Sequence, residues 1–277
     1  MSKKIYYING EFIQNDKAQV SFSDSAFLYG DGIFETIRFE NKKLCLINKH
    51  LDRLKNGFST LDLIYDKKDF EIIELLDSVI RLNDFNKGLL RLIISRGSIQ
   101  GSAWEYNGEP NTYISINPLA KIPTIPVKVV FLDEKKYPIV RFTPAIKSMN
   151  YAGNMKAKKD AYNKGAFEPV FYNKDKFITE CAIRNIFFVK GNELYTPSLD
   201  LGILSGVMRD TVLDIALEKS IKVNQAHINF DEINNFDEAF ISSTGIGIVE
   251  CFWDGWSSNY KITKKIKKSL VERLTNC

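Results

Sequence analysis

Five lysines lie between Pro144 and Gly165, in the stretch PAIKSMNYAGNMKAKKDAYNKG. A lysine amine can form an imine with an aldehyde and can shuttle protons, provided that its pKa is depressed. Most lysines of a folded protein are solvated, however, and neither charge nor helical spacing separates one of these from the others. The five are Lys147, Lys156, Lys158, Lys159 and Lys164.

Two segments have the composition of an anion site. In ILSGVMRD, Ser205 and Gly206 immediately precede a predicted helix, whose free N–H groups and dipole would face an approaching anion. In ISSTGIGI, hydroxyl residues and a glycine follow a predicted strand, and the amides of such a turn can form a nest for phosphate. Either pattern also occurs at ordinary strand and helix ends; their presence in one domain strengthens the phosphate interpretation.

Glu180 follows the predicted strand KFIT and precedes the apolar run NIFFV. It is either a solvent-facing residue at the edge of a hairpin or a charge placed beside the core for a chemical purpose. Periodicity alone favours the first interpretation.

Other functional motifs are incomplete. STGIGIVE lacks the third glycine and the following helix of a dinucleotide site, and FLYGDGIFE lacks the lysine and hydroxyl of a nucleotide phosphate loop. The two histidines, His50 and His227, lie near no cysteine, and the cysteines have no metal-ligand or redox spacing. We therefore expect no metal site and free thiols in a reducing compartment. The four cysteines are Cys45, Cys181, Cys251 and Cys277.

The composition is that of an ordinary folded protein. The chain has 277 residues, of which 44% are hydrophobic and 26% charged, enough for a sizeable core. A net charge of +4 gives no strong reason to expect a nucleic acid or an anionic membrane as partner. MSKKIYYING lacks the apolar centre of a signal peptide and no run approaches a membrane span, so we expect a cytoplasmic protein.

Residues 1–117 are predicted to form a small α+β domain. Asn9 and Gly10 are typical of a hairpin turn, and a second hairpin is expected around residues 40–43. Two amphipathic helices follow, the first with Asn48 as its N-cap, and two β-rich segments complete the domain. The segments are KIYYINGEFIQND, GIFETIRFENKKLCLI, NKHLDRLKNGFSTLDL, DKKDFEIIELLDSVIRLN, LLRLIIS and NTYISINPL.

Residues 118–126 are predicted to be a linker, since Pro118, Pro123 and Pro126 exclude a helix or a central strand. Residues 127–277 would then form a larger, β-rich domain with three helices, the first of which ends at Gly165. Its main segments are VKVVFL, NYAGNMKAKKDAYNKG, PVFYNKDKFIT, NIFFVKGNELYTP, SGVMRDTVLDIALEKS, EAFISSTGIGIVECF and KITKKIKKSLVERL.

Five blocks of the chain together resemble, in order and spacing, the class IV aminotransferase family. They are FLYGDGIFETIR, HLDRL, IKSMNYAGNMKAK, ITECAIRNIFFVKGNELYTPSLDLGILSGVMRD and EAFISSTGIGIVE. The family includes branched-chain aminotransferases, D-amino acid aminotransferases and 4-amino-4-deoxychorismate lyase. The resemblance implies the two-domain α+β architecture of the fold-type IV enzymes of pyridoxal 5′-phosphate (PLP), with the cofactor between a smaller N-terminal and a larger C-terminal domain.

The resemblance also implies roles for individual residues. Lys147 matches the lysine that forms the Schiff base with the cofactor and shuttles the proton, which leaves the other four lysines as solvated helix residues. Glu180 matches the acid that pairs with the pyridine nitrogen, and Arg53 matches the arginine that binds the phosphate. Tyr151 matches a tyrosine that contacts the phenolic oxygen of the cofactor in branched-chain enzymes.

The two anion segments match positions where relatives bind the same phosphate. Gly206, Val207 and Met208 would contribute backbone amides at the start of a helix, and Ser243 and Thr244 would contribute hydroxyl and amide groups.

The substrate stays open between two alternatives. D-amino acid aminotransferases carry an arginine and a histidine where this chain has Gly101 and Ala103, and SSTGIGIVE differs from the Gly-Thr-Ala turn of branched-chain enzymes. ISRGS, TEC and YTPSLDLGIL resemble the lyase branch, although the Arg-Gly-Tyr often found there is missing. The resemblance therefore implies an aminotransferase of branched-chain or D-amino acid type that uses a 2-oxo acid, or a lyase that expels pyruvate and forms 4-aminobenzoate.

Five further residues are candidates to contact the substrate, and one of them, Arg184, stands where many relatives have a small residue. Arg38 or Arg184 could supply a guanidinium for its carboxylate, and we expect Arg184→Ala to raise the KM for the amino donor while the cofactor stays bound. Tyr29 and Phe34, placed on the strand that contains YGDGIF, would line the pocket, together with Gly245. Because sites of this family lie at domain and subunit interfaces, a homodimer is expected.

Overall fold

The computed structural model describes residues 3–105 and 108–277. Internal contacts divide the chain into two compact units. The first comprises the chain up to Ala120 together with Ile146–Asn150 and Cys277; the second comprises Lys121–Ala145 and Tyr151–Asn276. The contacts thus assign residues 146–150 to the first unit, and the domain limits drawn from the sequence stay a prediction.

The first unit is a six-stranded antiparallel sheet with three helices. Its strands lie in the order β2-β1-β6-β5-β3-β4. The strands are β1 (Ile5–Ile8), β2 (Glu11–Gln14), β3 (Gly32–Glu40), β4 (Lys43–Leu44), β5 (Gly88–Ser95) and β6 (Asn111–Pro118). The helices are α1 (Ser25–Tyr29), α2 (Ile47–Thr60) and α3 (Asp69–Arg81).

Alternation along β3 explains how this sheet is covered. Ile33, Ile37 and Phe39 point to the core, where they join apolar residues of α2 such as Leu51 and Leu54. The period-3.6 pattern of α2 and α3 supplies the other half of that core, as the sequence predicts.

The start of helix α2 differs from the prediction. Asn48 is not its N-cap: the helix begins at Ile47, and the capping residue is Leu46, in the left-handed conformation and without a side-chain capping bond. The predicted hairpin at Asn9 and Gly10 is confirmed, and both residues have the positive φ angles that such a turn needs.

Residues 146–150 lie beside β3 and extend the edge of the sheet. Ser148 pairs with Ile33 in an antiparallel bridge, and the amide of Phe34 donates to the carbonyl of Lys147 at 2.9 Å. Because side chains alternate along such a segment, Ile146 packs against the core whereas Lys147 lies on the opposite face with Phe34.

The second unit is built on an eight-stranded sheet, in the order β12-β11-β10-β13-β14-β7-β8-β9. Its strands are β7 (Val127–Asp133), β8 (Glu168–Tyr172), β9 (Ile178–Cys181), β10 (Asn185–Lys190), β11 (Glu193–Pro197), β12 (Lys222–Ala226), β13 (Glu238–Ser243) and β14 (Gly247–Phe252). Its helices are α4 (Ala152–Asn163), α5 (Val207–Glu218) and α6 (Lys261–Thr275).

The apolar residues predicted to face inward on α5 and α6 are buried, among them Val212, Ile215, Ile266 and Leu270. The predicted hairpins β8–β9, β10–β11 and β13–β14 are all present. Within the described ranges, no helix is long and apolar enough to cross a membrane.

The expectation of four free thiols is wrong for one pair. Cys45 and Cys277 form a disulfide, with their Cα atoms 5.1 Å apart, although 232 residues separate them in the sequence. Spacing alone gave no sign of this pair, since a distant pairing depends on the fold. Cys181 and Cys251 are free and buried.

Candidate active site

Lys147 is held in the first unit by the backbone pairing beside β3. Its side chain is partly buried, and Nζ lies 4.4 Å from the centroid of the Phe34 ring. A cation over an aromatic face is attracted by the ring quadrupole, so Phe34 helps to fix the direction of the amine. The backbone and the side chain of this lysine are therefore both positioned.

The other four lysines of the stretch lie on or just after helix α4 in the second unit. Lys156, Lys159 and Lys164 are exposed, as predicted. Lys158 is an exception to the expectation of solvation, because its Nζ forms an ion pair with the fully buried carboxylate of Glu168. A buried acid needs a cationic partner, and Lys158 fills that structural role.

Arg53 is fixed by a buried acid that the sequence analysis missed. Its Nε donates to Oε1 of Glu35 at 2.7 Å and its Nη2 donates to Oε2 at 2.6 Å. Burial would raise the pKa of Glu35, but the guanidinium of Arg53, together with His50, lowers it to about 2. The carboxylate is therefore ionised throughout the neutral range.

His50 completes this buried cluster. Its Nδ1 lies 2.7 Å from Oε2 of Glu35, and because that carboxylate is ionised, Nδ1 must carry the proton and donate it. Burial lowers the pKa of His50, and the nearby cations of Arg53 and Lys147 add to this effect against the opposing influence of Glu35. The imidazole is therefore neutral, and its buried Nε2 has no hydrogen-bond partner in the described part of the chain.

A sequence signal for this cluster existed. Glu35 is the one charged residue at the inward positions of β3, between Ile33 and Ile37, and an acid on an apolar face requires partners. His50 and Arg53 are three residues apart, so they share one face of a helix.

Arg91, also missed from the sequence, lies near the same aromatic ring as Lys147. It stands opposite Thr36 in the β3–β5 pairing, and its guanidinium carbon is 4.6 Å from the centroid of Phe34. The ring of Phe34 is buried, and it contacts two cations, Arg91 and Lys147, on the same face of the sheet.

Arg38 and Tyr29 have other surroundings. Nε of Arg38 donates to Oε1 of Glu40 at 2.8 Å, which gives the guanidinium an acidic partner on its own strand. Tyr29 is not on a strand as predicted: it ends the short helix α1, and 63% of its surface is exposed. The left-handed Gly30 terminates that helix before β3 begins.

Glu180 lies on β9 in the second unit, in an ion pair with a second residue that the sequence analysis missed. Nη1 of Arg141 donates to Oε1 of Glu180 at 2.8 Å, and only 17% of the glutamate side chain is exposed. Burial raises the pKa of Glu180, and Arg141 opposes that shift. Of the two interpretations drawn from the sequence, the solvent-facing edge residue is therefore wrong.

Arg141 is itself anchored on its other edge. Nε and Nη2 donate to the two carboxylate oxygens of Glu134 at 2.6 and 2.7 Å, and Nη1 also donates to the carbonyl of Gly202 at 3.0 Å. Arg141 precedes Glu180 by 39 residues, and nothing in its local sequence indicates the pairing.

Helix α5 begins where the sequence predicts. Gly206 is its N-cap, and Val207 and Met208 form its first turn. A Cβ at position 206 would lie 2.0 Å from Oδ1 of Asn185, so only glycine fits there. Nδ2 of Asn185 donates to the carbonyl of Leu204 at 3.2 Å, which holds the segment that leads into the helix.

The second predicted anion segment adjoins the first through Asn185. Asn185 pairs with Ser242 in the β10–β13 ladder, and Ser243 ends β13 before the turn that contains Thr244 and Gly245. The hydroxyl of Ser242 is buried and has no hydrogen-bond partner among the described residues. The start of α5 and this turn therefore lie close together in one unit.

Two other candidates lie in the second unit. Arg184 forms an ion pair with the buried Glu168, and its guanidinium carbon is 4.7 Å from the ring centroid of Phe167. These contacts give Arg184 a structural role; its predicted role toward the substrate is not tested by them. Tyr151 is partly buried and precedes the first turn of α4 as its capping residue.

Residues of both units have the chemistry that PLP requires. A phosphate needs N–H donors, which the first residues of α5 carry at the helix start capped by Gly206. A protonated ring nitrogen needs a carboxylate beside it, and Glu180 is a buried carboxylate with a cationic partner, Arg141. A lysine that forms an imine with the cofactor aldehyde needs a fixed direction, and the amine of Lys147 is held against Phe34. The donor set fits the cofactor. Across residues 3–105 and 108–277, no group of three or more acidic, histidine or cysteine residues could hold a metal ion.

Several known proteins are similar to this chain over most of its length. A putative branched-chain-amino-acid aminotransferase of Methanocaldococcus jannaschii is 30% identical over 96% of this chain and 94% of its own. The aminodeoxychorismate lyase of Bacillus subtilis is 32% identical over 88% of this chain and 84% of its own. The branched-chain aminotransferase of Thermoproteus uzoniensis, crystallised with norvaline, has the same fold, with a TM-score of 0.89 over 99% of this chain and 96% of its own at 24% identity.

The family model for class IV aminotransferases matches residues 32–251. This confirms the resemblance, the fold class and the enzyme class predicted from the sequence. The chain belongs to the class IV aminotransferases, a family of PLP-dependent enzymes.

Proposed function

We propose that this protein binds PLP and transfers the amino group of an α-amino acid of branched-chain or D-amino acid type to a 2-oxo acid. The observation that carries the proposal is the placement of Lys147. Its backbone is paired to β3 and its amine lies against Phe34, whereas the other lysines of that stretch are exposed or paired with an acid. Family membership supplies the reaction class.

In this proposal Lys147 is the catalytic residue. Its amine would hold the cofactor covalently and then carry a proton to and from the substrate Cα. PLP, when bound, withdraws the electrons that remain on Cα after that proton leaves. The ring centroid of Phe34 lies 4.4 Å from Nζ of Lys147, and the ring also contacts the guanidinium of Arg91, so a second cation lies on the face of the sheet that carries the amine.

Glu180 would hold a proton on the ring nitrogen. Its carboxylate must be ionised to do so, and Arg141 works against the effect of burial. Tyr151 is proposed to contact the phenolic oxygen of the cofactor.

The phosphate would be bound by Arg53 and by backbone donors of the second unit. Gly206, Val207 and Met208 supply amides at the start of α5. The end of β13 and the turn after it would contribute Ser243 and Thr244, each with a hydroxyl group.

The substrate carboxylate is the least determined contact. Arg38 and Arg184 were proposed from the sequence, and both have acidic partners. Arg91 shares the ring of Phe34 with Lys147 and is a stronger candidate. We therefore expect Arg91→Leu to raise the KM for the donor about tenfold or more with the cofactor still bound, since a charge-assisted hydrogen bond is lost. Arg184→Leu tests the alternative: if Arg184 binds the donor carboxylate, that variant and not Arg91→Leu raises the KM for the donor.

The remaining proposed contacts concern the pocket and the assembly. Phe34, Tyr29 and Gly245 are proposed to line the substrate pocket. A homodimer is also proposed, and it would cover the exposed aromatic side chains of Phe22, Phe27 and Tyr29. A cytoplasmic location stays an expectation.

Aminodeoxychorismate lyase activity is the second candidate. The relative from Bacillus subtilis with that name is as similar to this chain as the aminotransferase relative is. The same lysine would serve, but pyruvate would be eliminated and 4-aminobenzoate formed.

One experiment separates these activities. The PLP-loaded protein is incubated with branched-chain, acidic and D-amino acids plus 2-oxoglutarate, and separately with aminodeoxychorismate. Formation of glutamate supports the aminotransferase, and formation of 4-aminobenzoate supports the lyase. A protein that binds PLP yet turns over no donor would be a cofactor-holding protein, and a protein that shows no cofactor absorbance with added PLP would end both proposals.

A further inference from the structure

We infer that Glu35 and His50 are positioning residues that aim the guanidinium of Arg53 at the cofactor phosphate. The inference rests on the proposed function, in which Arg53 binds that phosphate. It adds two residues that act through Arg53 and that touch neither cofactor nor substrate.

The contact between Glu35 and Arg53 is side-on. Nε and Nη2 of the guanidinium each donate to a separate carboxylate oxygen, at 2.7 and 2.6 Å. Two parallel bonds fix the plane of the guanidinium as well as its position. The opposite, end-on edge, which contains Nη1, is thereby turned away from Glu35.

His50 fixes the carboxylate in turn. Nδ1 donates to Oε2 at 2.7 Å, so that oxygen accepts from His50 and Arg53 at the same time. All three residues are on rigid elements, Glu35 on β3 and the other two on α2. The carboxylate cannot rotate without breaking a bond on one side or the other.

Burial makes this cluster costly unless it is complete. The side chains of Glu35 and His50 are 2% and 1% exposed, and that of Arg53 is 12% exposed. Removing the acid would leave a nearly buried guanidinium without its counter-charge, and a long arginine side chain would then adopt other rotamers. The negative charge of Glu35 also repels an incoming phosphate. Removal of Glu35 should therefore weaken phosphate binding if the residue positions Arg53, and strengthen it if the residue acts only by repulsion.

The test measures how well the protein discriminates phosphate, without requiring catalysis. Cofactor-free protein is titrated with PLP and with pyridoxal, which lacks the phosphate, and both dissociation constants are determined from absorbance. The discrimination ratio is the dissociation constant of pyridoxal divided by that of PLP. Glu35→Gln should lower this ratio about tenfold or more, because one well-aimed charge-assisted contact is lost. Binding of pyridoxal itself should change little.

Two sets of variants control for general destabilisation. Glu238→Gln removes another buried acid, which accepts the amides of Ile262 and Thr263 at the start of α6, and it should leave the ratio unchanged. His50→Asn keeps a donor near the Nδ1 position, whereas His50→Leu has a similar shape and no donor. The ratio should fall for the leucine variant and recover for the asparagine variant.

The outcomes are distinguishable. If the wild-type protein does not prefer PLP to pyridoxal, the phosphate site of the proposed function fails. If the wild-type protein discriminates but Glu35→Gln discriminates equally well or better, Glu35 acts only as an opposing charge and the positioning role is overturned. Equal ratios for the two His50 variants would show that His50 has no part in positioning Arg53.

Discussion

The two units hold their proposed cofactor contacts by different means. In the first unit these contacts are side chains held by other side chains: Arg53 by Glu35 and His50, and Lys147 against Phe34. In the second unit the proposed phosphate contacts are mainly backbone amides, placed by the start of α5 and the end of β13. A side-chain site depends on each charge in its network, whereas a backbone site depends on local geometry.

The largest effect on the rate is expected at Lys147, the proposed catalytic residue of the first unit. Lys147→Ala should lower the rate by about 10²–10⁴-fold, because general acid–base catalysis at that position is lost. Amino-group transfer is measured by the formation of glutamate from 2-oxoglutarate. Lys159→Ala, at an exposed lysine of α4, is the matched control and should retain full activity.

Glu180 differs from the other proposed contacts of the second unit, because it is held by a side chain, that of Arg141. Arg141 opposes the rise in the pKa of Glu180 that burial causes. Arg141→Leu should therefore raise that pKa further, and the acidic limb of the kcat–pH profile should move to higher pH. An acidic limb at the wild-type position would show that Arg141 has only a structural role.

The backbone site can be broken without touching a charge. Gly206→Ala places a Cβ against Oδ1 of Asn185, so the start of α5 or the Asn185 side chain that holds it must shift. We expect the dissociation constant of PLP to rise about tenfold, corresponding to the loss of one or two amide hydrogen bonds to the phosphate. Gly165→Ala is a useful contrast: its Cβ meets no neighbour, but its positive φ is unfavourable, so stability should fall while PLP binding stays the same.

The cluster of Glu35, His50 and Arg53 should make the free energy of unfolding depend on pH, and this effect is smaller than those of the substitutions above. Glu35 has a folded-state pKa of about 2, below its ordinary value of 4.5, so its contribution is complete above pH 4.5 and is lost as the pH falls toward 2. The pKa of His50 is lowered too, so the unfolded chain takes up its proton first and stability falls below about pH 6.5.

Urea unfolding at several pH values tests this sign. The stability advantage of the wild-type protein over Glu35→Gln should shrink between pH 4.5 and 2. His50→Leu should flatten the fall in stability below about pH 6.5. A fall of the same steepness in that variant would assign the dependence to other groups.

The same contrast explains what could be predicted from the sequence. The backbone features follow from short-range rules: glycine before a helix, an Asn-Gly turn, and alternation along strands. The hairpins and the start of α5 are therefore close to the predictions. Local rules can still fail, as at α2, where Asn48 lies inside the helix.

The side-chain partners could not be predicted in that way. Arg141 and Glu180 are 39 residues apart, and Cys45 and Cys277 are 232 residues apart; only the fold brings them together. Lys158 looked like a solvated helix residue until the position of Glu168 was known. Glu35 is the instructive case, since its place among inward-facing residues of β3 was visible in the sequence and its partners were not.

The central claim is that Lys147, and none of its neighbours, carries the cofactor. The direct measurement is to load the protein with PLP, reduce it with sodium borohydride, and map the labelled peptide by mass spectrometry. We expect a phosphopyridoxyl group on Lys147 in a single labelled peptide. A label on Lys156, Lys158, Lys159 or Lys164 in place of Lys147, or no label at all, would contradict it.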